Sequence, residues 1–159
     1  MPGLDLADLS FIVPCMGRLV HLQQSLPRLL DLAPATCVIV DYACPDASGD
    51  WVLQHCPAAR VARVRDVTHF NLAAARNFGA RAATTPWLCF IDADVLPAAD
   101  FRGQLAALGD ATSFYTALPA TRGLSGTVLC TRAAFERVGG YDEVMTGWGS
   151  EDTDFYLRL

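Results

Sequence analysis

Lysine is absent from this 159-residue chain: all twelve basic residues are arginine. That absence excludes every mechanism that needs a side-chain amine, including a Walker-type phosphate loop, a Schiff base and a serine–lysine pair. Cys-x-x-Cys pairs are absent too. The six cysteines (Cys15, Cys37, Cys44, Cys56, Cys89, Cys130) are scattered, and three of them lie inside apolar runs. They read as reduced core residues rather than as a zinc site or a disulfide framework. His21, His55 and His69 match no His-Glu-x-x-His spacing and read as structural.

No stretch suits a membrane span. The longest uncharged segment, between Asp110 and Arg122, contains Pro119 and falls short of the roughly 18 apolar residues a spanning helix needs. The N-terminus, Met1-Pro2-Gly3-Leu4-Asp5-Leu6-Ala7-Asp8, is acidic where a secretory leader is basic. The expectation is a cytoplasmic protein without a transmembrane segment, with peripheral membrane association left open. Positive charge is not in surplus either: twelve basic against seventeen acidic residues give a net charge of −5 and a pI near 5.0. This argues against a nucleic-acid partner, so an anionic ligand would have to meet local arginines.

What is present describes a globular domain. The chain is 52% hydrophobic and 18% charged, with mean hydropathy +0.27, which excludes intrinsic disorder, and its length suits one domain over residues 1–159. Ser10-Phe11-Ile12-Val13, stopped by Pro14, and Thr36-Cys37-Val38-Ile39-Val40, stopped by Asp41, read as buried parallel strands. Between them Leu19, Leu22, Leu26 and Leu29 recur at helical spacing, with Pro27 expected to kink or restart the helix. Val61-Ala62-Arg63-Val64-Arg65 alternates as an exposed strand does, after a short helix at 51–55. Asn71 stands where it would cap an alanine-rich helix to about residue 83, with Gly79 allowing close packing.

Trp87-Leu88-Cys89-Phe90-Ile91 is the most apolar strand candidate and runs straight into Asp92-Ala93-Asp94. The remainder predicts a helix over 98–108, strands at 112–116 and 127–130, a helix over 132–138 and a last helix capped by Ser150. Strands alternating with helices in this way indicate an α/β fold with a mixed, mainly parallel sheet flanked by helices.

In such a sheet ligands gather beyond the carboxyl ends of the strands. Four polar segments fall there: 14–18, 41–46, 66–71 and 92–94. Asp92 and Asp94 offer two hard oxygen ligands suited to Mg²⁺ or Mn²⁺ that also meets substrate phosphates. Arg18 and Arg76 are candidates to face a diphosphate, and Asp41 could accept hydrogen bonds from a nucleobase or ribose or simply form a turn. Glu151, Asp152 and Asp154 follow Gly147-Trp148-Gly149-Ser150. Helix-dipole preference alone explains their charge, whereas a large aromatic between flexible positions suits a sugar platform beside a base.

Taken in order, Phe11-Ile-Val-Pro14 with Arg18, Val38-Ile-Val-Asp41 through Asp46, Ala75-Arg76-Asn77-Phe78-Gly79, Phe90-Ile-Asp92-Ala-Asp94 and Val138-Gly-Gly-Tyr-Asp142-Glu143 resemble the family-2 nucleotide-sugar glycosyltransferases of the GT-A fold. Gly147-Trp-Gly-Ser-Glu151-Asp152-Thr-Asp154 is similar to the acceptor-side motif of β-1,4-galactosyltransferases and bacterial chondroitin-polymerase-like enzymes.

The resemblance implies a GT-A catalytic domain with a nucleotide-binding half over about 1–94 and an acceptor-side half over about 95–159. It implies that Pro14 and Arg18 line the nucleotide, Asp41 faces the uracil, Arg76 lies near the nucleotide, Asp94 binds the metal and Asp92 joins it while facing the ribose. It further implies that Trp148 and Gly147 meet the acceptor, with Asp152 the general base and Glu151 its competitor. Tyr42 stands where many members carry a second Asp, and members usually continue to a further metal ligand beyond the last motif.

The function implied is metal-dependent transfer, with inversion, of a hexose or N-acetylhexosamine from a UDP-sugar to a saccharide or lipid-linked saccharide hydroxyl. The alternatives are a nucleotide-sugar-binding module without turnover and a sugar nucleotidyltransferase, for which Pro14-Cys15-Met16-Gly17 is poor in glycine. Two further expectations concern the last helix. Its dipole should lower the pKa of Asp152, and its apolar face at Phe155 and Leu159 should lack a partner unless a longer chain or another molecule covers it.

Overall fold

A computed structural model describes residues 3–117, 126–147 and 149–159. Strands β1 (Leu9–Cys15), β2 (Thr36–Tyr42), β3 (Arg60–Val64) and β4 (Trp87–Phe90) run parallel, and β5 (Tyr115–Thr116) and β6 (Val128–Thr131) complete one six-stranded sheet in the order β3-β2-β1-β4-β6-β5. β6 is antiparallel to both of its neighbours. The sheet is therefore mixed and mainly parallel.

Helices cover both faces, as a sheet built from continuous apolar runs requires. On one face α1 (Leu19–Asp31), α2 (Ser48–His55) and α4 (Phe101–Ala106) enclose Phe11, Val13, Cys37, Ile39, Cys89 and Ile91. On the other, α3 (Leu72–Ala82), α5 (Arg132–Arg137) and α6 (Glu151–Arg158) enclose Ile12, Val38, Val40, Leu88 and Phe90. Alternate residues of β1 thus serve opposite cores, which is why no position in it is polar except Ser10, whose hydroxyl pairs with Thr85 at 2.6 Å. Five cysteines are buried and Cys44 is half-buried, all as free thiols.

Most expected elements form, with informative differences. Pro27 lies inside a single helix that neither stops nor restarts, with Leu22, Leu26 and Leu29 fully buried along its inner face. Burial of each such leucine is worth about 1.5–3 kcal/mol, enough to offset one missing amide donor. The strand expected at 112–116 shrinks to Tyr115–Thr116, because Asp110 draws the Thr112 amide and hydroxyl and the Ser113 hydroxyl into a turn at 2.6–2.9 Å. Ser150 precedes α6, but its side chain makes no capping bond and its φ is +75°.

The expectation of an unpartnered last helix is corrected: Leu159 packs, partly buried, against the core that holds Phe155. The Phe155 side chain is fully buried, stacked on Tyr141 at 4.0 Å and set edge-on to Phe90 and Phe135. Arg158 then ties the end of α6 to the Val138 and Gly140 carbonyls at 2.8 and 2.7 Å.

Gly79 lets α3 settle on the sheet: a Cβ there would stand 2.5 Å from Ile12 Cγ2 and 2.7 Å from Val40 Cγ2, both fully buried. Gly79→Ala should therefore cost about 1–3 kcal/mol, because neither branched side chain has room to move. Urea unfolding checks this, and an unchanged midpoint would mean that α3 can lift from the sheet.

Candidate active site

Cutting the sheet off at the carboxyl ends of its parallel strands leaves a cleft of about 560 Å³. Pro14, Met16 and Arg18 come from the end of β1, Phe70 and Leu72 from the entry to α3, and Asp92, Ala93 and Asp94 from the end of β4. Gly126, just before β6, and Gly149, Glu151 and Asp152, at the start of α6, close the wall. The antiparallel pairing of Phe90 with Val128 brings the entry of β6 beside the exit of β4, so Gly126 reaches Asp92.

Behind this wall lies a charged group that the apolar core could not hold alone. Arg76 is fully buried, donates from one terminal nitrogen to Asp152 Oδ1 at 2.6 Å and from the other to Asp92 Oδ1 at 3.1 Å, and sits 5.0 Å from the Tyr141 ring centroid. Burial works against its charge, but Tyr141, Asp152 and Asp92 outweigh that and push its pKa up. The Gly126 backbone presses on this group: a Cβ there would lie 2.5 Å from an Arg76 terminal nitrogen and 2.7 Å from Asp92 Oδ2.

Asn77, the next residue of α3, fastens the adjoining turn. Its side chain donates to the Tyr141 carbonyl at 2.9 Å and to Glu143 Oε1 at 2.8 Å, and accepts from the Tyr141 amide at 2.9 Å. Gly140, at φ +75°, has no room for a Cβ against the Asn77 side-chain Oδ1, which would lie 2.6 Å away. Two motifs far apart in sequence therefore meet at Tyr141, under the arginine.

The Asp152 carboxyl is pushed up to about 6, chiefly by burial; the Arg76 guanidinium opposes this, and the charges of Glu151 and Asp92 add to it. The expectation of a lowered value is thus corrected, since burial outweighs the helix dipole. Glu151 is buried beside it, Asp94 is exposed on the cleft wall, and Asp92 is partly exposed.

Several expected site residues fall elsewhere. Arg76, expected near the nucleotide, stands behind the wall with both terminal nitrogens engaged by carboxylates. Asp41 is buried at the end of β2, outside the residues lining the cleft, and its Oδ1 accepts the Cys44 amide at 3.0 Å as a turn former does. Gly147 is exposed at φ +97° outside the lining, and Trp148 lies outside the described residues. Pro14, Arg18, Asp92, Asp94, Glu151 and Asp152 do converge on one cleft. Among the described residues no group of three or more His, Cys, Asp or Glu gathers as a metal cage.

This fold is that of the GT-A glycosyltransferases, and the chain belongs to glycosyl transferase family 2, whose model matches residues 10–126. A second model, the N-terminal domain of galactosyltransferase, matches residues 108–159. Among curated proteins the chain is similar to the pre-mycofactocin glycosyltransferase of Mycobacterium tuberculosis, 27% identical over 197 aligned residues that take in 96% of this chain. The chain spans 39% of that relative's length.

Among solved structures it is similar to the mannosyltransferase PcManGT from Pyrobaculum calidifontis in complex with GDP-Man and Mn²⁺, at TM-score 0.71 and 20% identity over 93% of this chain and 50% of that one. S. aureus TarS in complex with UDP-GlcNAc matches at TM-score 0.72 and 17% identity over 95% of this chain and 52% of that one. The catalytic domain of Drosophila β1,4-galactosyltransferase 7 with xylobiose matches at TM-score 0.66 and 21% identity over 94% of this chain and 59% of that one. Among the described residues no helix is long and apolar enough to cross a membrane.

The Tyr141 hydroxyl is buried and meets no hydrogen-bond partner among the described residues, while its ring supports Arg76. A buried, unmet hydroxyl costs about 1–3 kcal/mol. Tyr141→Phe keeps the ring and should leave stability unchanged or raise it in urea unfolding; a clear loss would show that the hydroxyl has a partner in solution.

Proposed function

We propose that this chain transfers a glycosyl group from a nucleoside diphosphate sugar, UDP-linked, to a hydroxyl of a saccharide or lipid-linked saccharide, with inversion. The observation that carries the reading is the charge of the cleft. Among the described residues four carboxylates, Asp92, Asp94, Glu151 and Asp152, line it against the single guanidinium of Arg18. A diphosphate cannot approach such a wall without a cation, and hard oxygen donors at a strand end suit a divalent one. Asp94, with Asp92 beside it, would hold Mn²⁺ or Mg²⁺ at the end of β4. Such an ion, when bound, neutralises charge developing on the leaving diphosphate. Family membership, and relatives described as glycosyltransferases, support the same class.

This chain's own residues account for the rest. Pro14, Met16 and Phe70 give the cleft an apolar side against which a nucleoside can lie, and Arg18 faces the phosphates. Asp152 keeps Oδ1 on Arg76, and its carboxylate lines the cleft where an acceptor hydroxyl would meet it. That hydroxyl loses its proton to Asp152 as its oxygen bonds to the anomeric carbon, while the bond to the diphosphate breaks and its electron pair leaves on UDP. A single displacement of this kind inverts the anomeric centre. Glu151, buried one position earlier, is the competing base.

Incubation with UDP-glucose, UDP-galactose, UDP-GlcNAc or UDP-GalNAc and Mn²⁺, with and without oligosaccharide acceptors, should release UDP; no release from any donor in the presence of acceptor would overturn the reading. Asp94→Asn should weaken Mn²⁺-dependent UDP binding in calorimetry while leaving the fold intact, since one charged ligand is lost. Asp152→Asn should slow transfer by ~10²–10⁴ while UDP affinity stays within a fewfold. The base must be ionised and titrates at about 6, so transfer should rise with pH through that region and then level. A pH–rate profile flat from pH 5 to 7, values chosen on the order of one unit either side of that titration, would remove Asp152 from the role.

A further inference from the structure

We propose that Arg76 is a positioning residue that sets Asp152 against Asp92 and so locks the acceptor side of the cleft to its donor side; the assignment rests on the glycosyl-transfer reading above. The guanidinium does not form the usual two-pronged pair with one carboxylate. It spreads its terminal nitrogens over two, from different elements: Asp92 at the end of β4, at 3.1 Å, and Asp152 in the first turn of α6, at 2.6 Å. Both acids reach the cleft, whereas Arg76 does not line it. Its influence on the reaction therefore passes through the acids it holds.

Three features deny the guanidinium freedom to move. It is fully buried, the Tyr141 ring lies against it, and the Gly126 backbone fills the space beside Asp92. Tyr141 is itself fastened by Asn77, the neighbour of Arg76 on α3, so the clamp and its support come from one helix. The planar fork of arginine can hold two acids at a set separation. A lysine ammonium, a compact point charge on a flexible stem, preserves the charge but not that spacing.

Arg76→Lys separates this role from charge and from nucleotide contact. With the UDP-sugar selected by the release assay, we expect kcat to fall roughly 10²-fold, the scale of a misplacement near 1 Å. The donor KM and the Mn²⁺-dependent affinity for UDP alone should weaken clearly less than kcat, because Asp94 is untouched and only Asp92 of the cation-holding pair loses its contact to Arg76. In an Asp152→Asn background, where the positioned group has lost its function, Arg76→Lys should add less than about threefold.

An unchanged kcat in Arg76→Lys would reduce Arg76 to packing, equal losses in UDP affinity and kcat would make it a nucleotide contact, and additive losses in the double variant would separate it from Asp152. Each of these overturns the proposal. Should the lysine variant fail to fold, Gly126→Ala pushes on the same nitrogen and on Asp92 Oδ2 without changing any charge. It should lower kcat more than UDP affinity, and wild-type kcat in it would equally overturn the clamp. If the unaltered protein binds no UDP in Mn²⁺, the glycosyl-transfer reading fails and takes this assignment with it, a result distinct from any produced by the variants alone.

Discussion

A guanidinium cannot be left unpaired in an apolar interior, and the arrangement around the cleft follows from where Arg76 is. Residue 76 faces inward on α3, between the sheet and the last helix, so two carboxylates must come to it from opposite directions. Breaking one side of such a buried pair typically costs about 3–5 kcal/mol, since the remaining charge is stranded. The pairing draws the first turn of α6 to the end of β4 and leaves both acids on the cleft wall. It also keeps Asp152 ionisable in a buried place: burial raises its pKa, and the guanidinium limits the rise.

The sheet supplies the second constraint. Four parallel strands send their carboxyl ends to one edge, but α/β packing alone would leave the side beyond β4 open. The reversal at β6 closes it, because antiparallel pairing puts the beginning of one strand beside the end of the other. A segment remote from Asp92 in sequence, at Gly126, thereby becomes its immediate neighbour.

Apolar runs at strand spacing, the leucine stripe of α1 and the Asn71 cap, which accepts the Ala74 amide at 2.8 Å, were legible in the sequence because each is a local signal. The convergence of Pro14, Arg18, Asp92, Asp94, Glu151 and Asp152 was legible from the rule about strand ends and from family resemblance. What could not be read is which side of a wall a charged residue occupies. Arg76 looks identical in sequence whether it meets a ligand or two buried acids, and Asp41 looks identical as a base contact or a turn former. The raised pKa of Asp152 was hidden for a related reason: the helix dipole is a local effect, whereas burial depends on the folded surroundings. Gly126 carried no signal, since its importance lies in what touches it.

Arginine does not deprotonate at any pH a folded protein survives, so alkali has no purchase on the contact that joins α3, β4 and α6. Acid does reach it, because the Asp152 carboxyl is pushed up to about 6 by burial, and the same burial favours its neutral form. At the far end of α6 Arg158 instead donates to the Val138 and Gly140 carbonyls, which do not titrate. The last helix is thus held at one end by a contact whose charge changes only on the acid side and at the other by contacts indifferent to pH, which makes its docking on the sheet one-sided in its response to proton concentration.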